Sequence, residues 1–335
     1  MKKLLLVLCL LILMMSGCSK KKDSGSSSSS SGSGAVDDGK LTIGVLVLME
    51  HQALDDATQG AIDYLRAQGY DEKKLEIIVK YAQGDVSTAA TIANQFVEDD
   101  VDLIYAIATP AAQAAVNATK GTDIPVVFNA VTDAVAAELV TSNEHPGGNV
   151  TGMSDEAPID LQLALIVEIL PDAKKIGMIQ NTSEVNSQVQ IDIVKSLAPS
   201  YGLEVIVKGV SSGSEISTAA SQLVEEVDAI YNVTDNLVVS NTATIVNAAN
   251  KAGIPVFAAE DSQFDQGILA AESISYYGLG TSAGEIIEKI LYEGADPGSI
   301  PVKTATITTL SVNTEVADLL GIELPISILN KIPSK

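Results

Sequence analysis

The sequence predicts an α/β protein of two similar, doubly wound parallel-sheet lobes joined by hinge crossovers. Three observations carry this. Short β-branched runs alternate with helical stretches from Leu41 onward, the alternation restarts at Ile176, and matching peptides recur at a nearly fixed spacing. Strands alternating with helices imply parallel strands linked by right-handed crossovers.

In the first repeat, Leu41–Leu48 reads as a buried strand and Ala53–Gln68 as a helix. Strand Leu75–Tyr81, helix Ser87–Glu98, strand Leu103–Ile107, helix Pro110–Lys120 and strand Val126–Asn129 follow. Gly69, Gly84, Pro110, Gly121 and Pro125 punctuate the switches. The second repeat reads as strand Ile176–Gln180, helix Glu184–Leu197, strand Leu203–Lys208, helix Ser217–Glu226, strand Ala229–Asn232, helix Leu237–Lys251 and strand Val256–Ala258. Ser87-Thr88-Ala89-Ala90 matches Ser217-Thr218-Ala219-Ala220, and Val101-Asp102-Leu103-Ile104-Tyr105 matches Val227-Asp228-Ala229-Ile230-Tyr231. Ile124-Pro125-Val126 matches Ile254-Pro255-Val256, so the offsets lie between 126 and 130 residues.

Between the repeats, Pro146 to Gly152 is rich in turn formers and is expected to be the first crossover. Helix Gly280–Tyr292, strand Thr304–Leu310 and helix Thr314–Leu320 should cross back. These readings give a first lobe of 40–152 plus about 275–305, and a second of 153–274 plus about 306–335. Several crossings keep two lobes in register while letting them open and close.

The N-terminus has its own grammar. Lys2 and Lys3 precede an apolar run of twelve residues, Leu4 to Met15. That run is short of the about 20 residues a bilayer needs and suits a signal-peptide core. Ser16-Gly17-Cys18 then fits lipoprotein processing, with 1–17 removed and Cys18 lipidated, although Met15 stands where Leu is usual. The Ser/Gly-rich stretch that follows, to residue 39, lacks the apolar content to order itself and reads as a tether. The expected location is therefore outside the cytoplasm, anchored to the membrane by lipid.

Composition excludes several functions. The formal charge is −23, and removal of Lys2 and Lys3 takes it to −25, which repels nucleic acid. Cys9 lies in the signal segment, so the mature domain has no cysteine pair for a disulfide or thiolate metal site. No nucleophile elbow, metal-ligand cluster or phosphate-binding glycine loop is present, and only two histidines occur. An enzyme is thus disfavoured, and nothing calls for a cofactor or metal. The absence of Trp argues against a sugar platform. The single arginine, Arg66, is expected mid-helix, away from any anion clamp.

Ligands of open parallel sheets bind beyond the carboxyl ends of the strands. That rule selects His51, Thr109, Thr132 and Asp133 in the first repeat, Ser154 and Asp155 after the crossover, and Asn181, Glu184, Thr234, Asp235, Asn236, Glu260 and Asp261 in the second. Thr109 as N-cap with Pro110 at the first helical position starts a helix whose N–H groups suit a carboxylate, and also serves as a plain cap. His51 fits a ligand contact or a loop cap. The aspartates fit an ammonium group, or turns. His145 is expected in a solvated turn.

Glu50-His51-Gln52-Ala53-Leu54-Asp55, Ala106-Ile107-Ala108-Thr109-Pro110-Ala111-Ala112-Gln113, Val131-Thr132-Asp133, Gly147-Gly148-Asn149-Val150-Thr151-Gly152 and Val233-Thr234-Asp235-Asn236 together carry a resemblance. From about Lys40 to the C-terminus the chain resembles the ABC transporter substrate-binding lipoproteins of the tryptophan/tyrosine-binding type. The resemblance implies the type I periplasmic-binding-protein fold and an aromatic amino acid as solute. It implies Thr109 and Gln113 at the α-carboxylate, Asp155, Asp235 and Asp261 at the α-ammonium, and Asn181, Glu184 and Asn236 along the second lobe. It also implies an ABC permease and, through it, a cytoplasmic ATPase as partners. Gln52 departs from the proline usual after the histidine and changes the first loop. A surface sensor with the same binding domain, signalling through a membrane receptor, is the alternative.

Overall fold

Two six-stranded sheets, each covered by helices, repeat one strand order. The computed structural model describes residues 39–332. The signal segment, Cys18 and nearly all of the tether lie outside the described residues.

The first sheet begins with β1 (Leu41–Val47), α1 (Gln52–Ala67), β2 (Leu75–Tyr81), α2 (Val86–Glu98), β3 (Leu103–Ile107), α3 (Thr109–Ala118), β4 (Val126–Val131) and β5 (Val150–Ser154). The second begins after α4 (Ile159–Ile169) with β6 (Lys175–Asn181), α5 (Val185–Leu197), β7 (Glu204–Val210), α6 (Gly213–Leu223), β8 (Ala229–Asn232), α7 (Asn236–Val239), α8 (Thr242–Ala252), β9 (Val256–Ala258) and β10 (Ala270–Ile274). The chain then runs through α9 (Tyr276–Glu293), β11 (Lys303–Thr304), β12 (Thr308–Val312), α10 (Thr314–Leu320) and α11 (Ile326–Leu329).

The sheet orders are β11-β5-β4-β3-β1-β2 and β12-β10-β9-β8-β6-β7. Each strand of one has its counterpart in the other, as the peptide repeat predicts. Gly44 and Gly177 show the equivalence at atomic scale. A Cβ on Gly44 would lie 2.6 Å from the Phe96 ring, and one on Gly177 would lie 2.6 Å from Leu223. In both lobes a side chain from the second helix of the repeat sits directly on its first strand. Alternation along β8 explains the cores of the second lobe: Ala229 and Tyr231 face one apolar cluster and Ile230 the other.

The turn at Gly147 and Gly148, expected as a crossover, instead feeds β5, which pairs in parallel with β4. The chain leaves the first sheet after Ser154. The expected strand over 304–310 is likewise two strands in different sheets. β12 pairs antiparallel with β10, its first residue Thr308 opposite the last, Ile274. The reason is geometric. β11 ends where the lobes meet, and the three-residue link 305–307 delivers the chain to the second sheet at its carboxyl edge. The strand can only run the opposite way.

α9 follows β10 through Ser275 and returns to the first lobe, where it packs against α1. A Cβ on Gly60 would fall 2.2 Å from Tyr277 O, and one on Gly280 would fall 2.3 Å from Ala57 O. Only glycine lets these backbones approach so closely.

Candidate functional site

The carboxyl ends of both sheets face one another, and the three crossings lie at that edge. A narrow cavity, tightly closed with only about 20 Å³ of free space, lies there, lined from the first lobe by His51, Ala53, Leu54, Ala130 and Thr132, and from the second by Asn186, Thr234, Asn236, Val239 and Glu260. Asp155 and Tyr276, one from each of two crossings, complete it. No lysine or arginine among the described residues lines it.

Backbone strain shapes the first-lobe wall. Ala108 has φ 81° and Ala130 φ 54°, both buried and neither glycine. Ala130 lies in a register shift between β4 and β5 that spans Phe128 to Val131. Such bulges re-aim side chains beside functional sites, here Thr132. Asn129 steadies the bend: its Oδ1 accepts from Ala130 N at 2.7 Å and its Nδ2 donates to Tyr105 Oη at 2.6 Å.

Asp155 is the hydrogen-bonding centre of the hinge. Its Oδ1 accepts from Thr132 Oγ1 at 3.1 Å and its Oδ2 from Tyr276 Oη at 2.8 Å. Burial raises its pKa, and the Tyr276 and Thr132 hydrogen bonds partly offset that. Glu260 accepts from Ser262 N at 2.8 Å and Gln263 Nε2 at 2.7 Å, and burial raises its pKa too. Burial, with the charges of Asp155 and Glu260, pushes the Tyr276 phenol well above its usual range. His51 Nε2 lies 3.4 Å from Asn236 Oδ1 across the cleft. Burial lowers the imidazole to about 4, against a smaller opposing effect of that hydrogen bond. At neutral pH the cavity therefore holds a neutral imidazole, and its two buried carboxyl groups have no cationic partner among the described residues. Such a site favours a positively charged ligand group, because an uncompensated buried carboxylate costs on the order of several kcal/mol.

Glu184 and Asp235 do a different job. Glu184 Oε2 accepts from Asn186 Nδ2, Asn236 N and Asn236 Nδ2 at 3.0, 3.1 and 2.6 Å, and Oε1 accepts from Asn181 Nδ2 at 2.9 Å. Asp235 accepts from Asn181 N at 2.6 Å and caps α7 through Val238 N at 3.1 Å. Burial, and then the Glu184 charge, raise the Asp235 pKa. This knot ties the ends of β6 and β8 together and holds Asn236 towards His51.

Of the residues selected from sequence, His51, Thr132, Asp155, Thr234, Asn236 and Glu260 line the cavity. Asn181, Glu184 and Asp235 stand behind it. Ser154 Oγ donates to Thr132 O at 3.0 Å and accepts from Glu156 N at 3.1 Å, bracing the first crossing. Asp261 opens on a neighbouring recess beside Ser273 and Thr309. Asp133 accepts from Val135 N and Ala136 N at 3.0 and 2.9 Å, the turn-forming alternative. Gln113 faces a separate groove beside α2, its Nε2 donating to Ala137 O at 3.1 Å.

Thr109 differs from expectation in detail. The helix starts at Thr109 with Ala108 as cap, because the Ala108 backbone makes the turn. Its Oγ1 is buried with no hydrogen-bond partner among the described residues. His51 occupies the cap position of α1 without a side-chain cap bond. Arg66 lies in the last turn of α1 rather than mid-helix, and donates to the carbonyls of Tyr70 and Leu75. His145 is exposed. Sequence reasoning missed Tyr276, since β10 before it went unread, and Asn186, which stood inside a helix.

The family model for the ABC transporter substrate binding protein matches residues 42–334. The chain belongs to this family. Its members bind substrates for transporters and are not enzymes. Among the described residues no group of three or more His, Cys, Asp or Glu is placed to hold a metal, and no helix is long and apolar enough to cross a membrane. A tyrosine-binding protein of Clostridioides difficile (strain R20291) is 44% identical over 300 residues, covering 87% of this chain and 86% of the relative. The ABC domain from Streptococcus pneumoniae in complex with L-Trp is 35% identical with a TM-score of 0.84, covering 87% of this substrate-binding protein and 98% of that chain. The ligand-free, open structure of a substrate binding protein with adhesive properties from Clostridium difficile is 42% identical, at a TM-score of 0.66, covering 85% and 96%.

Proposed function

We propose that this protein traps an aromatic amino acid, tryptophan or tyrosine, between its lobes and hands it to the permease of an ABC importer, from a lipid anchor on Cys18. The observation that carries the reading is the cavity itself: Asp155 and Glu260 approach it with no basic residue beside them. The α-ammonium group neutralises these carboxylates. The α-carboxylate goes to the first turn of α3, where Thr109 Oγ1 is buried without a hydrogen-bond partner among the described residues. Gln113 is committed to Ala137 and takes no part unless its side chain turns. Leu54 and Val239 supply apolar walls.

Two likenesses support the ligand class, since one relative is a tyrosine-binding protein and another was solved with L-Trp. The lobe arrangement is closer to the L-Trp complex than to the open, ligand-free relative, although the latter shares more sequence. A closed state, latched by His51 and Asn236, accounts for that ordering.

The test is a thermal-shift screen of the purified protein against the twenty amino acids, sugars and polyamines. A ligand bound only by the folded state stabilises by RT ln(1 + [L]/Kd), about 2.7 kcal/mol at a hundredfold excess over Kd. A selective shift with tryptophan or tyrosine supports the reading. A shift with another class alone overturns the ligand and keeps the trap.

A further inference from the structure

His51 and Asn186 hold two buried acceptors whose identity the surrounding hydrogen bonds fix. Asn236 Nδ2 donates to Glu184 Oε2 at 2.6 Å, so Asn236 turns Oδ1 towards His51. An amide oxygen only accepts, so His51 Nε2 carries the proton. The imidazole is neutral above about pH 4, and Nδ1 is therefore a lone pair. Asn186 Nδ2 donates to Glu184 Oε2 at 3.0 Å and to Thr234 O at 2.9 Å, both pure acceptors. Its remaining atom is Oδ1.

His51 Nδ1 and Asn186 Oδ1 are both buried, and neither has a hydrogen-bond partner among the described residues. Both residues line the interlobe cavity, one from each lobe. A buried polar atom left unpaired is costly, and two in one cavity point to a donor brought from outside. The ammonium is not that donor, because charge-assisted bonds to Asp155 and Glu260 are stronger than bonds to neutral acceptors.

We infer that His51 Nδ1 and Asn186 Oδ1 form a subsite for the hydrogen-bond donor on the ligand's ring, an indole N–H or a phenol O–H. The inference rests on the aromatic amino acid reading and deepens it. The acceptors come from opposite lobes, so the ring donor is gripped only when the lobes close. Phenylalanine has no ring donor and leaves both acceptors unpaired, and sites built around a donor reject analogues that lack it.

The experiment measures Kd by calorimetry for tryptophan, tyrosine and phenylalanine, with the purified protein and with His51→Leu and Asn186→Leu. Circular dichroism melting shows that each variant folds, and alanine replaces leucine at any position where it does not. The wild type should bind the better of tryptophan and tyrosine at least about tenfold tighter than phenylalanine, about 1.4 kcal/mol. Preference for tryptophan identifies the N–H, and preference for tyrosine the O–H. In the variants the affinity ratio to phenylalanine should fall towards one, whatever the absolute affinities. Phenylalanine binding as tightly as both others in the wild type overturns the subsite and leaves the aromatic reading standing. An undiminished ratio in both variants overturns the assignment to these residues. If none of the three binds, the aromatic reading falls and takes the subsite with it.

Discussion

Tyr276 donates its phenolic proton to Asp155 Oδ2 at 2.8 Å, across 121 residues of chain. Asp155 opens the first crossing between the lobes, and Tyr276 follows the second. One buried hydrogen bond thus joins two crossings between the lobes at the wall of the cavity. Tyr276→Phe removes the donor and leaves a carboxylate that is only 4% exposed. Buried bonds to charged groups are worth about 1.5–3 kcal/mol, and urea unfolding of the variant should show a loss of that size. An unchanged midpoint would mean that the bond does not bear on hinge stability.

Glu184 organises the second-lobe wall. Its carboxylate gathers donors from Asn181, Asn186, Asn236 and the start of α7. Glu184→Ala should destabilise by about 2–4 kcal/mol, because several buried donors lose their acceptor together. Ligand affinity should fall as well, since Asn236 is no longer held towards His51. Denaturation and calorimetry on the same sample separate the two effects.

Gly280 tests the packing of α9 on α1. A methyl group there meets the Ala57 carbonyl at 2.3 Å, so the helices must part. Gly280→Ala should lower stability by about 1–3 kcal/mol despite the better helix propensity of alanine. Thermal melting distinguishes this from a gain of up to about 1 kcal/mol expected if propensity alone decided.

Two cavity groups give opposite pH dependences. Asp155 is raised by burial, so between the ordinary carboxylate range and its folded pKa the native state binds the extra proton. Its contribution is most favourable at low pH and is lost as pH rises through that window. His51 is lowered to about 4 from 6.5, so in that interval the unfolded state binds the extra proton. Its contribution is fully present above pH 6.5 and is lost as pH falls to 4. The stability difference between wild type and Asp155→Asn should therefore move against the wild type as pH rises. That between wild type and His51→Leu should move in its favour. Melting curves from pH 4 to 7.5 read both slopes, and equal slopes would contradict the burial assigned to these groups.

Much of this was legible from sequence. The peptide repeat located both sheets, because parallel strands buried on both faces write themselves as continuous apolar runs. The strand-end rule found Asp155, Thr132 and Glu260 without knowledge of packing. What sequence hid is what depends on three dimensions. Ser273 and Glu272 break the apolar pattern of β10, so the strand before Tyr276 went unread. The Gly147-Gly148 turn looked like a hinge because turn composition is the same at a loop as at a lobe boundary. α4 was missed because an apolar run such as Leu161 to Ile169 carries little helical periodicity. Glu184 and Asp235 were selected as ligand-facing strand-end acids, and only the hydrogen bonds reveal that they stand behind the cavity wall and brace it.

The central claim is that the cleft closes on an amino acid whose ammonium group meets Asp155 and Glu260. The most direct measurement compares tryptophan with indole-3-propionate, which lacks only that ammonium, by calorimetry at pH 7. The account predicts that the deaminated analogue binds at least about a hundredfold more weakly, a difference of about 2.7 kcal/mol. Equal affinity for the two would place the ammonium elsewhere and contradict the account.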